Sequence, residues 1–309
     1  MDGSVFVRNP LNPLITAKNL PYQANAVFNA GAADLGEEVV LLLRVESPSG
    51  RSHLIVARSK DGVRNWLVDE TALLHPEEGI AFESYGAEDC RLTWVEELEA
   101  WVIAYVGYSE RGPGVALART TDFRTVERIG LIFPPDDKNP AIFPRRFDGL
   151  YALLHRPTVG GGSIWISYSP DLVHWGDSRV ILKPLTYHWD EMKIGPGAPP
   201  FKTDKGWLHI YHGVFKTMSV TVYRLGAALH DHDDPAEIIG VSDGWILQPE
   251  DPWEVNGYVP NVVFTCGAVP EDDGTVKIYW GGADTVMCVG TAVIDELVAL
   301  CLSDSRPPL

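Results

Sequence analysis

The sequence predicts an all-β fold, and more narrowly a single five-bladed β-propeller over residues 1–309. Three observations lead to this prediction. The chain contains 29 glycines, 23 prolines and 10 tryptophans, a composition that favours turns and strands over long helices. Segments of strand-like alternation return roughly every sixty residues. No heptad or long amphipathic helical pattern competes with them. A two-domain β-sandwich is the weaker alternative.

The repeat is clearest in three turn segments, "HLIVARSKDGVRNW", "VALARTTDFRTV" and "SIWISYSPDLVHW". In each, an alternating strand is followed by Ser or Thr and, two residues later, by an aspartate: Asp61, Asp122 and Asp171. Looser echoes occur around Asp233 and Asp295. An aspartate in a tight turn accepts backbone N–H groups. We therefore expect these residues to hold hairpins.

A second series of strand–turn–strand segments lies upstream of these turns. It reads "VFNAGAADLGEEV", "EDCRLTWVEELEAW", "KNPAIFPRRFDGLY", "GAPPFKTDKGWL" and "PNVVFTCGAVPEDDGTV". The two series together make strand–hairpin units that fill the chain. An all-strand repeat of this length is typical of a propeller in which each unit is a four-stranded blade.

The net charge of −17 argues against nucleic acid as a partner, because phosphate backbones need a basic surface. A local cluster of Arg, Lys and His can still bind one small anion. The longest apolar stretch, near Val39 to Leu43, is too short to span a bilayer. The N-terminal residues lack the pattern of a signal peptide. A homo-oligomer stays possible.

The four cysteines, Cys90, Cys266, Cys288 and Cys301, are far apart and show no CxxC spacing. Zinc ligands normally come in closely spaced pairs, so a metal site is not expected. Isolated cysteines in a chain of this length indicate reduced thiols and a cytoplasmic location.

Polar residues recur at equivalent points of successive units, at the start of one strand and the end of the next. In a propeller these points share one face of the central channel, so we expect a polar ligand site there. The alternative is that the same residues cap turns or form structural ion pairs. The strand starts contribute Asn29, Glu88, Asp89, Lys138, Asn139, the stretch 195–200 and Asn261, and the strand ends contribute Arg44, Glu46, Tyr108, His155, Arg156, Tyr211, His212 and Asp284.

Seven strings, in order along the chain, resemble glycoside hydrolase family 130, the β-mannoside phosphorylases and related mannosidases, and the resemblance extends over roughly Asn25 to Asp284. They are "GAEDCRL", "KNPAIFP", "LLHRP", "WDEMKIGPGAPP", "GWLHIYHGV", "YRLGAALHDHDDP" and "YVPNVVFTCGA…YWGGADT". Members of this family are five-bladed propellers, which agrees with the repeat. One departure is visible, because Cys90 stands where the family commonly has proline.

The resemblance implies a role for each matching residue. Asp89 matches the proton donor of the Glu-Asp motif, while Tyr85 and Glu88 flank it and are placed to touch the sugar. The phosphate-binding positions are Lys138, Asn139, Arg156, His212 and Tyr223. The contacts to the mannosyl residue are Asn29, Arg44 and Asp284. The implied partners are a β-mannoside oligosaccharide and inorganic phosphate as co-substrate, without any cofactor.

The residue types favour phosphorolysis over hydrolysis. Hydrolysis of a glycoside normally uses two carboxyl groups. Phosphate is already an anion and needs cations and hydrogen-bond donors to hold it, with only one acid for the leaving group. Lys138, Arg156 and His212 with the Tyr223 hydroxyl are such a set, opposite a single acid, Asp89. The expected reaction is an inverting displacement that yields α-mannose 1-phosphate, and in the family the proton passes through the mannose 3-hydroxyl.

Three alternatives stay open at this point. They are a β-mannosidase on the same fold, a non-catalytic sugar-binding propeller, and a furanosidase-type hydrolase with Glu191 and Asp284 as further carboxylates. The linkage, β-1,2 or β-1,4, and the acceptor sugar (mannose, glucose or N-acetylglucosamine) are also open.

Overall fold

Antiparallel strands joined by hairpins make up most of the residues that the computed structural model describes, which are 5–76, 79–159, 161–303 and 305–309. The all-β prediction is confirmed, and these residues form one domain. Within the described residues, helical structure is confined to α1 (Pro252–Val255), α2 (Ile294–Ser303) and three short 3₁₀ turns at Ala17–Asn19, Ala81–Glu83 and Glu96–Leu98.

Two short strands, β1 (Phe6–Arg8) and β2 (Ile15–Thr16), precede the repeats. The other described strands fall into five antiparallel sections. Section 1 contains β3 (Ala26–Asp34), β4 (Val39–Glu46), β5 (Ser52–Ser59) and β6 (Leu67–Val68). Section 2 contains β7 (Gly86–Val95), β8 (Ala100–Ser109), β9 (Gly112–Thr120) and β10 (Glu127–Phe133). Section 3 contains β11 (Asp137–Phe147), β12 (Leu150–Pro157), β13 (Ile164–Ser169) and β14 (Gly176–Leu182). Section 4 contains β15 (Lys193–Pro196), β16 (Phe201–Lys202), β17 (Trp207–Lys216), β18 (Thr221–His230) and β19 (Ile238–Val241). Section 5 contains β20 (Val263–Pro270), β21 (Thr275–Gly282) and β22 (Val286–Val293).

Sections 1 and 2 are connected into one eight-stranded sheet by a single parallel residue pair, Ser52 with Gly86. Section 3 is a sheet of its own, as is section 4. The apolar side chains of the strands pack between sections. One buried cluster joins each section to the next, and another joins section 5 back to section 1. The inner strands are therefore covered on both faces.

The N-terminal strand completes section 5. β1 pairs antiparallel with β22, from Phe6 opposite Ala292 to Arg8 opposite Gly290. Arg8 then binds Glu254, a fully buried carboxylate at the end of α1, with its Nη2 2.9 Å from Oε2. This ion pair connects β1 to α1, which precedes section 5 in the chain.

We expect Arg8→Ala to destabilise the protein by about 2–3 kcal/mol, because the buried Glu254 carboxylate loses its charged partner and keeps only neutral donors. Urea denaturation measures the effect. Arg119→Ala is the control: Arg119 binds Glu127 on the surface, where the two side chains are 43% and 64% exposed. Such pairs contribute about 0–1 kcal/mol. Equal losses in the two variants would contradict the prediction.

The three turn aspartates act as predicted. Asp61, Asp122 and Asp171 each accept two backbone N–H bonds from the residues two and three positions ahead. These bonds lower the pKa of each carboxyl, because they stabilise its charged form. The local turn chemistry is therefore readable from sequence.

The two looser echoes were assigned to the wrong residues. In section 4 the turn acceptor is Asp231, which binds the backbone N–H groups of Asp233 and Asp234, so Asp233 is a donor of the turn. Asp295 lies in the first turn of α2 and forms no hairpin. Section 5 has a turn carboxylate at Asp273, which accepts from Thr275, but it lies between β20 and β21 and is not the counterpart of the other turn aspartates. The spacing of one aspartate from the preceding strand does not show which of several neighbouring aspartates accepts the turn hydrogen bonds. It also does not distinguish a hairpin turn from the start of a helix.

Candidate active site

The first strands of sections 1, 2 and 3 share a backbone irregularity that directs a polar side chain inward. Their pairing with the next strand shifts register after Phe28, Glu88 and Lys138. The residue that follows has a left-handed backbone, with φ of 50°, 47° and 60° at Asn29, Asp89 and Asn139. Asn and Asp tolerate this conformation better than most residues. A β-bulge of this kind re-aims one side chain, and all three line the same cavity.

Cys90 does not disturb this turn. The equivalent residue of section 3 is Pro140, which follows Asn139, so the bulge accepts either residue type. The Cys90 thiol is fully buried and donates a hydrogen bond to the Leu42 carbonyl at 3.1 Å. The acid-bearing bulge of section 2 is thereby attached to β4 of section 1.

The cavity has a volume of about 800 Å³, within the range of small-molecule sites. It brings together ten of the eleven predicted site residues. The exception is Tyr85, which is 45% exposed and lies outside the wall, 6.4 Å from the ring of Tyr108. The predicted residues in the wall are Asn29, Arg44, Glu88, Asp89, Lys138, Asn139, Arg156, His212, Tyr223 and Asp284.

One part of the wall is a carboxyl cluster arranged around Arg44. The guanidinium binds Asp89 Oδ1 through Nη1 at 2.9 Å and Glu88 Oε1 through Nη2 at 2.8 Å. Asn29 Nδ2 also donates to Asp89 Oδ1, at 2.9 Å. Asp89 therefore keeps one oxygen fixed by two donors, while Oδ2 is left for a ligand.

Glu88 and Asp284 line the cavity beside Asp89, so the candidate acid has two carboxyl neighbours. Burial would raise the pKa of Asp89, but the charges of Arg44, Arg91 and Lys138 and the Asn29 hydrogen bond lower it. Burial raises the pKa of Glu88. Burial, with the charges of Asp89 and Glu88, raises the pKa of Asp284 to about 6. The cluster therefore separates a charged carboxylate from two that hold protons more readily.

Asp284→Asn should stabilise the unliganded protein at pH 7.5 and roughly half as much at pH 5. The folded pKa of about 6 lies above the ordinary 3.8, so the native state binds the proton more tightly than the unfolded state. Stability from this group is then lost as pH rises from about 4 to 6, on the order of 1–3 kcal/mol. Melting temperatures at the two pH values measure it. A variant less stable than the parent at pH 7.5 would contradict the assignment.

Another part of the wall is centred on Arg156. This side chain is 7% exposed and makes no hydrogen bond or ion pair with any residue in the described ranges. Its Nε is buried without a partner. Burial lowers the pKa of Arg156, although Tyr223 and Asp137 oppose the effect. A buried guanidinium without a counter-ion is costly, so this position fits an anion supplied from outside.

His212 lies beside Arg156 but does not add a positive charge. Burial, together with the charges of Arg156, Arg91 and Lys193, lowers the pKa of His212 well below its usual value, so the ring is neutral. Nε2 lies 3.4 Å from Asn139 Nδ2, and Nδ1 is buried without a partner. Without a ligand, His212 therefore offers hydrogen bonding and not the positive charge expected from the sequence.

The two lysines of the cavity occupy different surroundings. Lys138, predicted to bind phosphate, places Nζ 4.0 Å from Glu88 Oε2 and 5.3 Å from the centre of the Tyr108 ring, on the carboxyl side. Lys193 was missed, although it stands inside the string "WDEMKIGPGAPP". Its Nζ lies 5.4 Å from the centre of the Tyr223 ring, and its charge acts on His212. The lysine beside Arg156 and His212 is therefore Lys193.

Gly195 allows the anion-side groups to converge. It pairs with His212 across β15 and β17. A Cβ atom at Gly195 would lie 2.5 Å from Asn139 Nδ2 and 2.6 Å from His212 Cε1. Any side chain here would displace both groups, so glycine is required for their approach.

Arg91 is a second residue whose importance the sequence did not reveal. It is fully buried and donates to three carbonyls, at 2.7 Å to Asp89, 2.9 Å to Pro196 and 3.0 Å to Gly197. It thereby ties the backbone of the candidate acid to the glycine-proline stretch of section 4. Arg91 has a positioning role, because its guanidinium donates its hydrogen bonds to backbone carbonyls.

A hydrogen-bonded chain in section 3 has the composition of a serine hydrolase triad but not its accessibility. Asp137 binds His155 Nδ1 at 2.6 Å, and His155 Nε2 lies 2.8 Å from Ser167 Oγ. Ser167 is fully buried and bonded to Ser178 at 2.7 Å. No substrate reaches this hydroxyl, so the chain is structural.

In the described ranges, no three His, Cys, Asp or Glu side chains come together as a metal site. The described helices are all too short or too polar to cross a bilayer.

A family model described as beta-1,4-mannooligosaccharide phosphorylase matches residues 7–303. The chain belongs to glycoside hydrolase family 130. Within this family, a 1,2-beta-oligomannan phosphorylase of Thermoanaerobacter sp. (strain X514) is 37% identical over 247 residues, 79% of each chain. A beta-1,4-mannooligosaccharide phosphorylase of Ruminococcus albus is 31% identical over 314 residues, 97% of this chain and 92% of the relative.

Among solved structures, a family 130 relative is the beta-1,2-mannobiose phosphorylase from Listeria innocua in complex with beta-1,2-mannobiose. It superposes with a TM-score of 0.88 at 31% identity, covering 97% of this chain and 99% of that one. The predicted membership in glycoside hydrolase family 130 is confirmed.

Proposed function

We propose that this chain is a β-mannoside phosphorylase. It cleaves β-1,2- or β-1,4-linked mannosides with inorganic phosphate and releases α-mannose 1-phosphate. The relatives named above are phosphorylases of such mannosides. The observation that carries the proposal is the buried, unpaired Arg156, together with Asn139, Lys193, His212 and Tyr223 around it. These groups offer hydrogen-bond donors and positive charge to one small oxyanion.

The chemistry divides between the two parts of the wall. Phosphate held at Arg156 attacks the anomeric carbon, and Asp89 supplies the proton for the leaving oxygen through the mannose 3-hydroxyl. The glycosidic C–O bond breaks as the C–O bond to phosphate forms, with inversion. Arg44, Asn29 and Asp284 hold the mannosyl residue, and Glu88 and Lys138 flank the acid.

Substrate binding also prepares Asp89 to act as an acid. In the unliganded cavity, Arg44 and its neighbours hold the pKa of Asp89 below the usual range. A phosphate dianion and an apolar sugar face in the cavity both disfavour a carboxylate, since like charge and desolvation raise the pKa of an acid. The proton is therefore loaded in the ternary complex.

For the fold, we propose that the five antiparallel sections are the blades of a propeller. The support is the buried cluster that joins section 5 back to section 1, together with β1 as the outer strand of section 5. A closed ring of this kind leaves few sheet edges exposed. A cytoplasmic location is likewise proposed, since all four cysteines are free, buried thiols.

The test is incubation with β-1,2-mannobiose and β-1,4-mannobiose, each with and without inorganic phosphate. The expected product is mannose 1-phosphate, formed only with phosphate. Release of mannose at equal rates without phosphate would replace the proposal by a β-mannosidase. Binding of either mannobiose without any product would indicate a sugar-binding protein. Reverse synthesis from mannose 1-phosphate with mannose, glucose or N-acetylglucosamine identifies the acceptor.

A further inference from the structure

Arg306, near the C-terminal end of the sequence, forms a buried ion pair with Asp190. Arg306 is 3% exposed and Asp190 is fully buried, with Nη2 of the arginine 2.7 Å from Oδ2 of the aspartate. Terminal residues of most domains are poorly ordered unless they are tied down. A buried ion pair contributes little net stability, since desolvation offsets the attraction. Its place in the molecule therefore needs another explanation.

Residues 305–309, here called the C-terminal tail, are held at several points. The Val241 backbone N–H donates to Ser305 Oγ at 3.0 Å, and the Arg306 backbone N–H donates to the Val241 carbonyl at 3.0 Å. Arg306 Nη1 donates to the Lys183 carbonyl at 3.2 Å, and the Lys183 N–H donates to the Pro308 carbonyl at 2.9 Å. The tail thus bridges β19 and the segment that follows β14.

Besides Arg306, the Asp190 carboxylate binds residues of two neighbouring segments. Its Oδ1 lies 2.8 Å from His188 Nδ1, within the segment between β14 and β15. Its Oδ2 accepts from the Tyr211 hydroxyl at 3.3 Å, on β17. Trp189 also stacks on Tyr211, with ring centres 5.7 Å apart. One carboxylate therefore joins the tail, the segment before β15, and β17.

The next residues along both elements belong to the anion side of the cavity. Lys193 stands three residues after Asp190, at the start of β15, and His212 directly follows Tyr211 on β17. The two strands pair from Lys193 opposite Val214 to Pro196 opposite Tyr211. A shift of the Asp190 segment would therefore move the Lys193 ammonium relative to Tyr223 and His212.

We propose that Arg306 is a positioning residue for the oxyanion site: through Asp190, the C-terminal tail holds Lys193 and His212 in register for phosphate. This inference rests on the proposed function for the identity of the anion. It places a determinant of phosphate affinity at the far end of the chain, where no side chain touches the cavity.

The test measures binding of inorganic phosphate by calorimetry, and KM for phosphate and for mannobiose in steady state, in the full chain. We expect Arg306→Ala to raise the Kd and KM for phosphate roughly ten- to hundred-fold, as loss of an orienting group behind a ligand does. KM for the mannoside should change less than three-fold, roughly, because the Arg44 cluster is untouched. Arg306→Lys keeps the positive charge, so its Kd and KM for phosphate should lie between those of the parent protein and those of Arg306→Ala.

Leu117→Ala is the matched control for stability. Leu117 is fully buried between sections 2 and 3, so its truncation lowers the melting temperature without involving the tail. Its phosphate Kd should equal that of the parent protein. If Arg306→Ala does not fold, Arg306→Lys carries the comparison.

The outcomes separate the tail from the reaction. Unchanged phosphate Kd in both Arg306 variants would overturn the inference, as would an equal increase in Leu117→Ala. Phosphate binding by the parent without cleavage of mannobiose would overturn the proposed reaction alone, while the Kd comparison still decides on the tail. A parent protein that binds no phosphate would overturn both.

Discussion

Asp89→Asn is expected to lose nearly all phosphorolysis while it still binds the mannoside. Loss of a positioned acid typically costs ~10²–10⁴-fold in kcat. Asparagine is the right replacement because Asp89 has a φ of 47°, which asparagine tolerates and which alanine would strain. The amide oxygen can also keep the hydrogen bonds from Arg44 and Asn29. Release of mannose 1-phosphate measures turnover, and calorimetry with mannobiose measures binding.

The control for this variant is Asp148→Asn. Asp148 is exposed in the β11–β12 hairpin and has the same left-handed backbone, with a φ of 49°. The two variants therefore make the same chemical change in the same conformation, and only one lies in the cavity. Substantial residual turnover in Asp89→Asn would remove this residue as the acid and direct attention to Glu88 or Asp284.

Arg156→Met is expected to weaken phosphate binding and, without phosphate, to raise the melting temperature. The guanidinium is buried without a partner in the described structure, so it costs free energy until an anion arrives. Loss of its charged hydrogen bonds to phosphate, about 2–3 kcal/mol, corresponds to roughly a 30- to 150-fold increase in KM for phosphate. Replacing a residue that is kept for function at a cost in stability commonly stabilises the protein.

Thermal melting with and without phosphate measures both effects. Phosphate should raise the melting temperature of the parent protein, since a ligand that binds only the native state stabilises it. In Arg156→Met this shift should largely disappear. Arg145→Ala, at a side chain that is 47% exposed, is the control and should keep the full shift. A variant with less stability than the parent and an unchanged KM would contradict the assignment of the anion site.

Much of the site was predictable because it depends on local patterns. Strand alternation and turn chemistry repeat along the chain, and they located Asn29, Asp89 and Asn139 at equivalent strand starts. The bulges at these three residues then make the equivalence visible in three dimensions. Family resemblance added roles that the pattern alone does not assign.

Other features depend on how separate sections meet. Local sequence patterns do not show which lysine lies at which part of the cavity. The fold places Lys138 beside Glu88 and Lys193 beside Tyr223. Arg91 resembles any other strand arginine until its three carbonyl partners in sections 2 and 4 are seen. Tyr85 directly precedes the acid-bearing strand, but its ring stays at the exposed rim.

The amino-acid sequence by itself determined the strand repeat, the turn aspartates and the family, because hydrophobic period and turn chemistry act over a few residues. The tertiary structure decided the charge states and the grouping: His212 is neutral in the unliganded cavity, Glu88 and Asp89 share the Arg44 guanidinium, and the tail reaches Asp190. Burial and the distance between sections set these properties. Neither is a local quantity, since both arise only when residues remote along the chain are packed together.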